Sequence, residues 1–192
     1  MRCFIAIDLC DAVRQAVAGC IEQLEPLSRD IRWVPPANLH LTLKFLGEVS
    51  DVHVRDVNRR LQELAAVSAP FSLEVFGTGV FPNTRRPTVL WIGIQQSPGL
   101  VHLQEGVEKT LAQLGFPPEA RRFAPHLTIG RVKGVRGVDA ALKHLLTFQN
   151  AFFGSINVNE IMLMQSVLSP SGAIYSAVGR YQLGAAAADT AH

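Results

Sequence analysis

The sequence has little cysteine, and what it has is not paired. Cys3, Cys10 and Cys20 are odd in number, lie near one end of the chain and lack the spacing of a zinc or redox motif. We therefore expect free thiols and a reducing, cytoplasmic location. Long apolar runs are also missing, because Asp8 and Asp11 interrupt the N-terminal one. We expect no secretory signal and no contact with a membrane.

Neither sign of charge is in large excess. The formal net charge is +2 over 192 residues, which is too small for a protein that coats nucleic acid by electrostatics. The 48% hydrophobic content suits one well-filled core. We expect a single domain over residues 1–183, acting as a monomer without an obligate protein partner. The Ala-rich tail, 184–192, has too little to bury and is expected to be disordered.

Several signatures of hydrolytic and metal sites are absent. The chain contains no His-x-x-x-His spacing, no Cys-x-x-Cys pair and no Gly-x-Ser-x-Gly elbow. A zinc site and a Ser-His-Asp hydrolase are therefore disfavoured, and we expect neither a metal nor a cofactor.

Two tetrapeptides that nearly repeat each other are present instead. They are His40-Leu41-Thr42-Leu43 and His126-Leu127-Thr128-Ile129. A shuffled chain of this composition would contain only about 0.06 copies of His-apolar-Thr-apolar, so two copies are informative. In an extended strand alternate side chains share a face, so each copy presents an imidazole beside a hydroxyl and turns two aliphatic side chains the other way.

The two halves of the chain share an order of elements. Each half reads as a strand, a helix, a lead-in with an aromatic residue and proline, a His-x-Thr strand, a helix and a strand. His40 follows the start of its helix at Asp11 by 29 residues, and His126 follows Gly99 by 27. This correspondence predicts an internal duplication, with two pseudo-symmetric lobes that face the motifs across a cleft. Apolar periodicity predicts helices over 11–27, 52–66, 100–114 and 139–148, and a Gly-punctuated loop over 76–83.

Two imidazoles on opposite walls of a cleft suit in-line displacement at phosphorus. One histidine removes a proton while the other supplies one, and an ordinary pKa of about 6.5 allows both states near neutrality. Thr42, Thr128 and Arg131 are candidates to hold the non-bridging oxygens. Lys44 lies on the His40 face by period two and is a candidate ligand contact. Phe81 is a candidate base-stacking residue, with plain packing as its alternative.

These motifs resemble the two-histidine phosphoesterase superfamily, and specifically the bacterial RNA 2′,3′-cyclic phosphodiesterase family, once named 2′-5′ RNA ligase. The similarity extends from the N-terminal strand to about residue 183. It includes Arg2 to Ile7, Trp33-Val34-Pro35, His40 to Glu48, Gly79-Val80-Phe81-Pro82, Leu90-Trp91, Phe123 to Arg131, Ser166-Val167-Leu168, Gly172 and Tyr175.

The resemblance implies an α+β fold of two antiparallel sheets that face a central cleft, with helices outside. It also implies metal-independent hydrolysis of a 2′,3′-cyclic phosphate, at an RNA or oligonucleotide end, to a 2′-phosphate. In the family's usual assignment His40 is the proton donor and His126 the acceptor. The near-equivalence of the motifs leaves these roles open in the sequence. Three alternatives also stay open: 2′-5′ joining of RNA ends, opening of a small cyclic nucleotide, and a non-catalytic module that binds RNA ends.

Overall fold

Nine β-strands and four α-helices alternate along the residues that the computed structural model describes, 1–170 and 172–184. The strands are β1 Arg2–Ile7, β2 Ile31–Trp33, β3 Leu41–Glu48, β4 Phe71–Phe81, β5 Val89–Ile94, β6 His126–Val132, β7 Phe152–Val158, β8 Glu160–Ser169 and β9 Gly172–Gln182. The helices are α1 Asp11–Leu24, α2 Asp51–Val67, α3 Pro98–Ala112 and α4 Val138–Leu145.

The four predicted helices are all present, and the first, third and fourth end two or three residues earlier than predicted. The last turns of the first and fourth, 25–27 and 146–148, are 3₁₀ turns. The predicted loop over 76–83 is wrong, because β4 continues to Phe81. Its glycines mark a close approach within the sheet: a Cβ at Gly79 would lie 2.3 Å from the ring of Trp91.

The strands are arranged symmetrically about a central pair. Their order is β7-β4-β5-β6-β3-β1-β8-β9, and every neighbouring pair is antiparallel. The predicted pair of antiparallel sheets corresponds to the two halves, β9-β8-β1-β3 and β6-β5-β4-β7, of one continuous sheet of nine strands. These two halves, called sheets below, are joined where β3 pairs with β6 through Leu41 and Leu127. Strand β3 begins at Leu41, and the later residues of β6, Gly130 to Val132, pair with β2 instead.

The predicted duplication is confirmed by this order, in which β1, α1 and β3 correspond to β5, α3 and β6. Each sheet nevertheless contains strands from both halves of the chain, because β8 and β9 complete the sheet of β1 whereas β4 completes the sheet of β5. The lobes are therefore not the two halves of the sequence. Elements of both lobes contribute to one buried cluster of apolar side chains.

The described part of the chain ends in contact with the fold. The backbone N–H of Gly184 donates to the carbonyl of Ala65 at 3.0 Å, so this residue belongs to the ordered domain and not to the predicted tail. Residues 185–192, the rest of that tail, lie outside the described residues. Cys3, Cys10 and Cys20 are free thiols. No helix among the described residues has the length and apolar character to cross a membrane.

Candidate active site

The two tetrapeptides meet where the two sheets join. Leu41 pairs with Leu127 in antiparallel register, and both side chains are fully buried in the core. Their neighbours His40, Thr42, His126 and Thr128 are half-buried and lie on the opposite face. The register set by the pair places each histidine diagonally across from its counterpart and beside the other motif's threonine. The structure therefore brings the four residues together, as the repeat predicted.

Both imidazoles are held in the same tautomer. Nδ1 of His40 lies 2.7 Å from the carbonyl oxygen of Asn38, and Nδ1 of His126 lies 2.7 Å from that of Ala124. Since a carbonyl oxygen only accepts, Nδ1 is the donor in both bonds. Nε2 of each ring is therefore left to accept a proton when the ring is neutral and to donate one when it is charged.

Aromatic rings fix the orientation of each imidazole. Phe4 stacks on His40 at a centroid distance of 4.7 Å, and Tyr175 meets the same ring edge-on at 5.2 Å. Phe81 meets His126 edge-on at 5.0 Å. Phe81 thus lies in the site, as predicted. The sequence analysis did not identify Phe4 and Tyr175 as site residues, because their approach to His40 depends on pairing between distant strands.

The charges around the two histidines differ. Burial lowers the pKa of His40, the hydrogen bond to Asn38 and the charge of Asp8 raise it, and the charge of Arg14, the ion-pair partner of Asp8, lowers it. Burial also lowers the pKa of His126, and there the positive charge of Arg131 lowers it further. Each histidine thus has a basic neighbour, Arg14 for His40 and Arg131 for His126, and His40 has in addition the acidic neighbour Asp8, which favours its charged form.

Arg14 of α1 supports the segment that leads to His40. Its guanidinium donates to the carbonyls of Pro36 at 2.7 Å and Leu39 at 3.1 Å, and it forms an ion pair with Asp8 at 2.5 Å. Sequence reasoning missed this residue, because nothing local to Arg14 indicates which distant loop lies beneath it. We infer that Arg14 is a positioning residue for His40.

A β-bulge in β3 changes which side chains face the cleft. Thr42 pairs with Ala6 of β1, but the next pair joins Lys44 to Ile5, so β3 has one extra residue. The alternation of faces shifts by one position there. As a result Leu43 and Lys44 are both buried, and the exposed residue that follows them is Phe45, with 64% of its surface accessible.

The prediction that Lys44 lies on the His40 face is wrong because of this bulge. The side chain of Lys44 is buried, and its Nζ forms an ion pair with Glu108 of α3 at 2.6 Å and donates to the carbonyl of Pro117 at 2.8 Å. Lys44 therefore ties β3 to α3. Phe45, and not Lys44, occupies the face that carries His40, and its ring lies 6.0 Å from that of Phe4.

The same irregularity occurs at the equivalent position of β6. Thr128 pairs with Trp91 and Gly130 pairs with Leu90, so Ile129 is the extra residue. Ile129 and Gly130 are buried, and Arg131 is exposed on the His126 face. Arg131 thus lies near the site, as predicted, and it occupies the position that corresponds to Phe45 in the other motif.

A cavity of about 350 Å³ opens beside His126. Its lining is mainly aromatic and apolar, with three polar side chains, Gln96, Arg122 and His126. The lining residues are Phe81, Trp91, Gln96, Arg122, Phe123, Ala124, Pro125 and His126. This composition and size suit a flat ring with a few hydrogen-bonding groups.

The arrangement offers acid-base chemistry without an obvious metal cage. Among residues 1–170 and 172–184, no group of three or more His, Cys, Asp or Glu side chains converges in a way that would hold a metal ion. The strand register instead places the two histidines and the two threonines on one face of the sheet, with the charge of Arg131 close to one imidazole. Such a set can move protons on both sides of an anionic group and stabilise its charge.

Comparison with known proteins agrees with this geometry. The profile of the LigT-like phosphoesterases matches the chain twice, over residues 7–91 and 92–175. The chain is 35% identical to the RNA 2′,3′-cyclic phosphodiesterase of Methanothermobacter thermautotrophicus over 183 residues, which is 95% of this chain and 99% of that one. It is 37% identical to the protein of the same name from Archaeoglobus fulgidus, over 91% of this chain and 96% of the other.

Solved structures show the same fold. The TT0787 protein of Thermus thermophilus superposes with a TM-score of 0.82 at 30% identity, covering 96% of this chain and 98% of that one. The E. coli LigT protein complexed with 3′-AMP superposes with a TM-score of 0.78 at 27% identity, covering 95% and 97%. With both halves of the sequence matched and the fold shared over nearly its whole length, the chain belongs to the LigT-like phosphoesterase family.

Proposed function

We propose that this protein hydrolyses the 2′,3′-cyclic phosphate at RNA or oligonucleotide ends to a 2′-phosphate, without a metal ion. The observation that carries the proposal is the matched pair of imidazoles, each with Nδ1 bonded to a backbone carbonyl and Nε2 free. The names of the relatives from Methanothermobacter and Archaeoglobus support the substrate class.

In the proposed mechanism His126 is the base and His40 is the acid. Nε2 of neutral His126 takes a proton from a water molecule as the water oxygen attacks phosphorus. The bond between phosphorus and the 3′ oxygen breaks, and Nε2–H of charged His40 donates its proton to that oxygen. The 2′ oxygen keeps the phosphate. The charges support this direction, because Arg131 favours neutral His126 with no acidic group opposing it, whereas at His40 the charge of Asp8 opposes that of Arg14.

Metal independence follows in this proposal from the groups that surround the phosphate. The hydroxyls of Thr42 and Thr128 donate hydrogen bonds to the non-bridging oxygens, and Arg131 balances the charge that develops on them. These donors supply the electrostatic stabilisation that a metal ion provides in other phosphodiesterases.

The cavity beside His126 is the proposed site for the terminal base. Phe81 and Trp91 provide its aromatic surface, while Gln96 and Arg122 provide polar contacts at its edge. The E. coli LigT structure with 3′-AMP supports the binding of a nucleotide by this fold. The mixed lining favours stacking on any base over recognition of one base.

The test is a reaction with an oligonucleotide that ends in a 2′,3′-cyclic phosphate, in the presence of a chelator. We expect a 2′-phosphate product, and we expect His40→Ala and His126→Ala each to lower kcat by about 10²- to 10⁴-fold. His53→Ala is the matched control, since His53 is an exposed residue of α2 whose ring contacts Phe116.

Different failures contradict different parts of the proposal. Activity that appears only when a divalent metal is restored contradicts metal independence. Full activity in both single-histidine variants contradicts the acid-base pair. Tight binding without turnover from about pH 5 to 9 contradicts hydrolysis and favours a module that binds RNA ends.

A further inference from the structure

A second arginine lies beside Arg131 on an adjacent strand. Strand β2 pairs with the later residues of β6, and this pairing places Arg32 directly opposite Arg131. Residues that oppose each other across an antiparallel pair share a face of the sheet, with Cβ atoms about 4.5–5.5 Å apart. Both side chains are exposed. The two guanidinium groups therefore extend together from the face of β6 that carries His126.

This pair of like charges has no counter-charge within the described part of the chain. Directly opposed like charges destabilise a strand pair. Arg14, Arg136 and Arg180 each form an ion pair with an acidic side chain, whereas Arg32 and Arg131 form none among the described residues. An unbalanced pair on the wall of a cleft is suited to an anion that arrives with the ligand.

Arg32 reaches the mouth of the cleft between the two lobes. A methyl group placed on Gly172, the first residue of β9 in the hairpin of β8 and β9, would lie 3.8 Å from Nη2 of Arg32. The same hairpin is tied to the segment before His40, because Nδ2 of Asn38 donates to the carbonyl of Ala173 at 2.9 Å. The guanidinium of Arg32 thus lies where the lobe of β9 approaches the lobe of β6, and its strand, β2, runs one strand spacing of about 4.8 Å from the strand of Arg131.

The positive charge continues past this pair. Val89, the first residue of β5, pairs with Arg131 on the other side of β6. The turn that precedes Val89 carries Arg85 and Arg86, both exposed, with their backbone N–H groups bonded to Oδ1 of Asn83. A basic path therefore leads from the histidines toward the open end of the cleft.

We propose that Arg32 binds the phosphodiester group on the 5′ side of the terminal nucleotide, while Arg131 faces the reacting cyclic phosphate. This inference rests on the proposed function and names its substrate class: single-stranded RNA ends at least two nucleotides long, in preference to a mononucleotide. A mononucleotide 2′,3′-cyclic phosphate has one phosphate and leaves Arg32 without a partner.

The experiment compares kcat/KM for adenosine 2′,3′-cyclic phosphate and for a trinucleotide that ends in the same group. We expect the native protein to prefer the trinucleotide by about tenfold or more, as a charge-assisted contact allows. Arg32→Gln should lose most of this preference, and Arg32→Lys should retain more of it than Arg32→Gln. Arg55→Gln, an exposed arginine of α2 on the outer helix layer, is the matched control and should keep the native ratio.

Salt dependence provides an independent measurement. For a single strand the slope of log affinity against log salt concentration is about −0.7 per phosphate contact, so Arg32→Gln should reduce the slope for the trinucleotide by about 0.7. The slope for the mononucleotide should change less.

An unchanged ratio in Arg32→Gln, with a native circular dichroism spectrum, would overturn the assignment of Arg32. If the native protein turns over neither substrate, it is the proposed function that fails. The assignment is then judged by the ratio of the Kd values for the trinucleotide and the mononucleotide in the same variants. A ratio unaffected by Arg32→Gln overturns it, and a ratio lowered about tenfold supports it.

Discussion

The two histidines of the candidate site differ in their neighbours more than in their geometry. Each ring has a backbone carbonyl two residues earlier as its Nδ1 partner. The charges of Asp8 and Arg14 act on His40 with opposite signs, whereas the charge of Arg131 acts on His126 and lowers its pKa. The sequence repeat leaves open which histidine is the acid and which is the base. The surrounding charges favour His40 as the acid and His126 as the base.

The pH dependence of kcat/KM tests that direction. Burial lowers both pKa values below the ordinary value of about 6.5, so we expect a bell-shaped profile with its maximum on the acidic side of that value. On the acidic limb the base, His126, gains a proton. On the basic limb the acid, His40, loses one.

Two substitutions should each move one limb. Arg131→Gln removes a positive charge from His126, raises its pKa and shifts the acidic limb to higher pH. Asp8→Asn removes a negative charge from His40, lowers its pKa and shifts the basic limb to lower pH. Profiles of kcat/KM for the native protein and both variants provide the measurement. If Arg131→Gln moves the basic limb instead, the donor and acceptor are the reverse of our assignment.

At the scale of elements, the two bulges decide what surrounds the histidines. In both β3 and β6 the extra residue comes just after the His-x-Thr motif. It turns the fifth residue after each histidine toward the cleft, which is Phe45 in one strand and Arg131 in the other. The cleft is therefore symmetric in its acid-base groups and asymmetric beside them.

The contact between β4 and β5 provides a prediction about the cavity. A Cβ at Gly79 would lie 2.3 Å from the Trp91 ring, which lines the cavity beside His126. Gly79→Ala should displace that ring, lower the free energy of unfolding by about 1–3 kcal/mol and raise KM. Urea denaturation, tryptophan fluorescence and KM measure these effects.

Gly19→Ala is the matched control for this substitution. Gly19 lies inside α1, and a Cβ there would meet no atom within 4 Å. Alanine at that position should stabilise the protein by about 0.5–1 kcal/mol, because it restricts the unfolded chain and favours the helix, and KM should not change. A Gly79→Ala variant that behaves like Gly19→Ala would contradict the expected clash between a side chain at position 79 and the Trp91 ring.

At the scale of the whole molecule, the lobes are built so that neither is independent of the other. The strands β8 and β9, which are last in the sequence, complete the sheet that begins with β1. A continuous buried cluster contains residues from both sheets. We infer that the two lobes form one folding unit.

We therefore expect a single unfolding transition. Trp33 and Trp91 lie in strands β2 and β5 on the β6 side of the molecule, so tryptophan fluorescence reports that lobe, whereas far-UV circular dichroism reports both. The two midpoints in denaturant should coincide. Leu163→Ala, in β8 of the other lobe, should lower both midpoints together and cost about 2–5 kcal/mol. A fluorescence midpoint that stays at the native value in this variant would show that the lobes unfold separately.

The sequence by itself determined the helices, the duplication and the two motifs at the centre of the site. These features depend on local patterns: apolar spacing along a helix, alternation within one strand and the recurrence of His-x-Thr in two places. Leu41 and Leu127 are buried while the adjacent histidines and threonines are not, as alternation within a strand predicted.

Only the tertiary structure decided which other residues join the site. The bulge that buries Lys44 against Glu108 arises from pairing between β3 and β1, and the position of Arg32 arises from pairing between β2 and β6. A bulge shifts the phase of every residue beyond it, and a strand pair brings together residues that are far apart in the sequence. Neither effect is encoded in the local spacing, because both depend on the register of strands from distant parts of the chain.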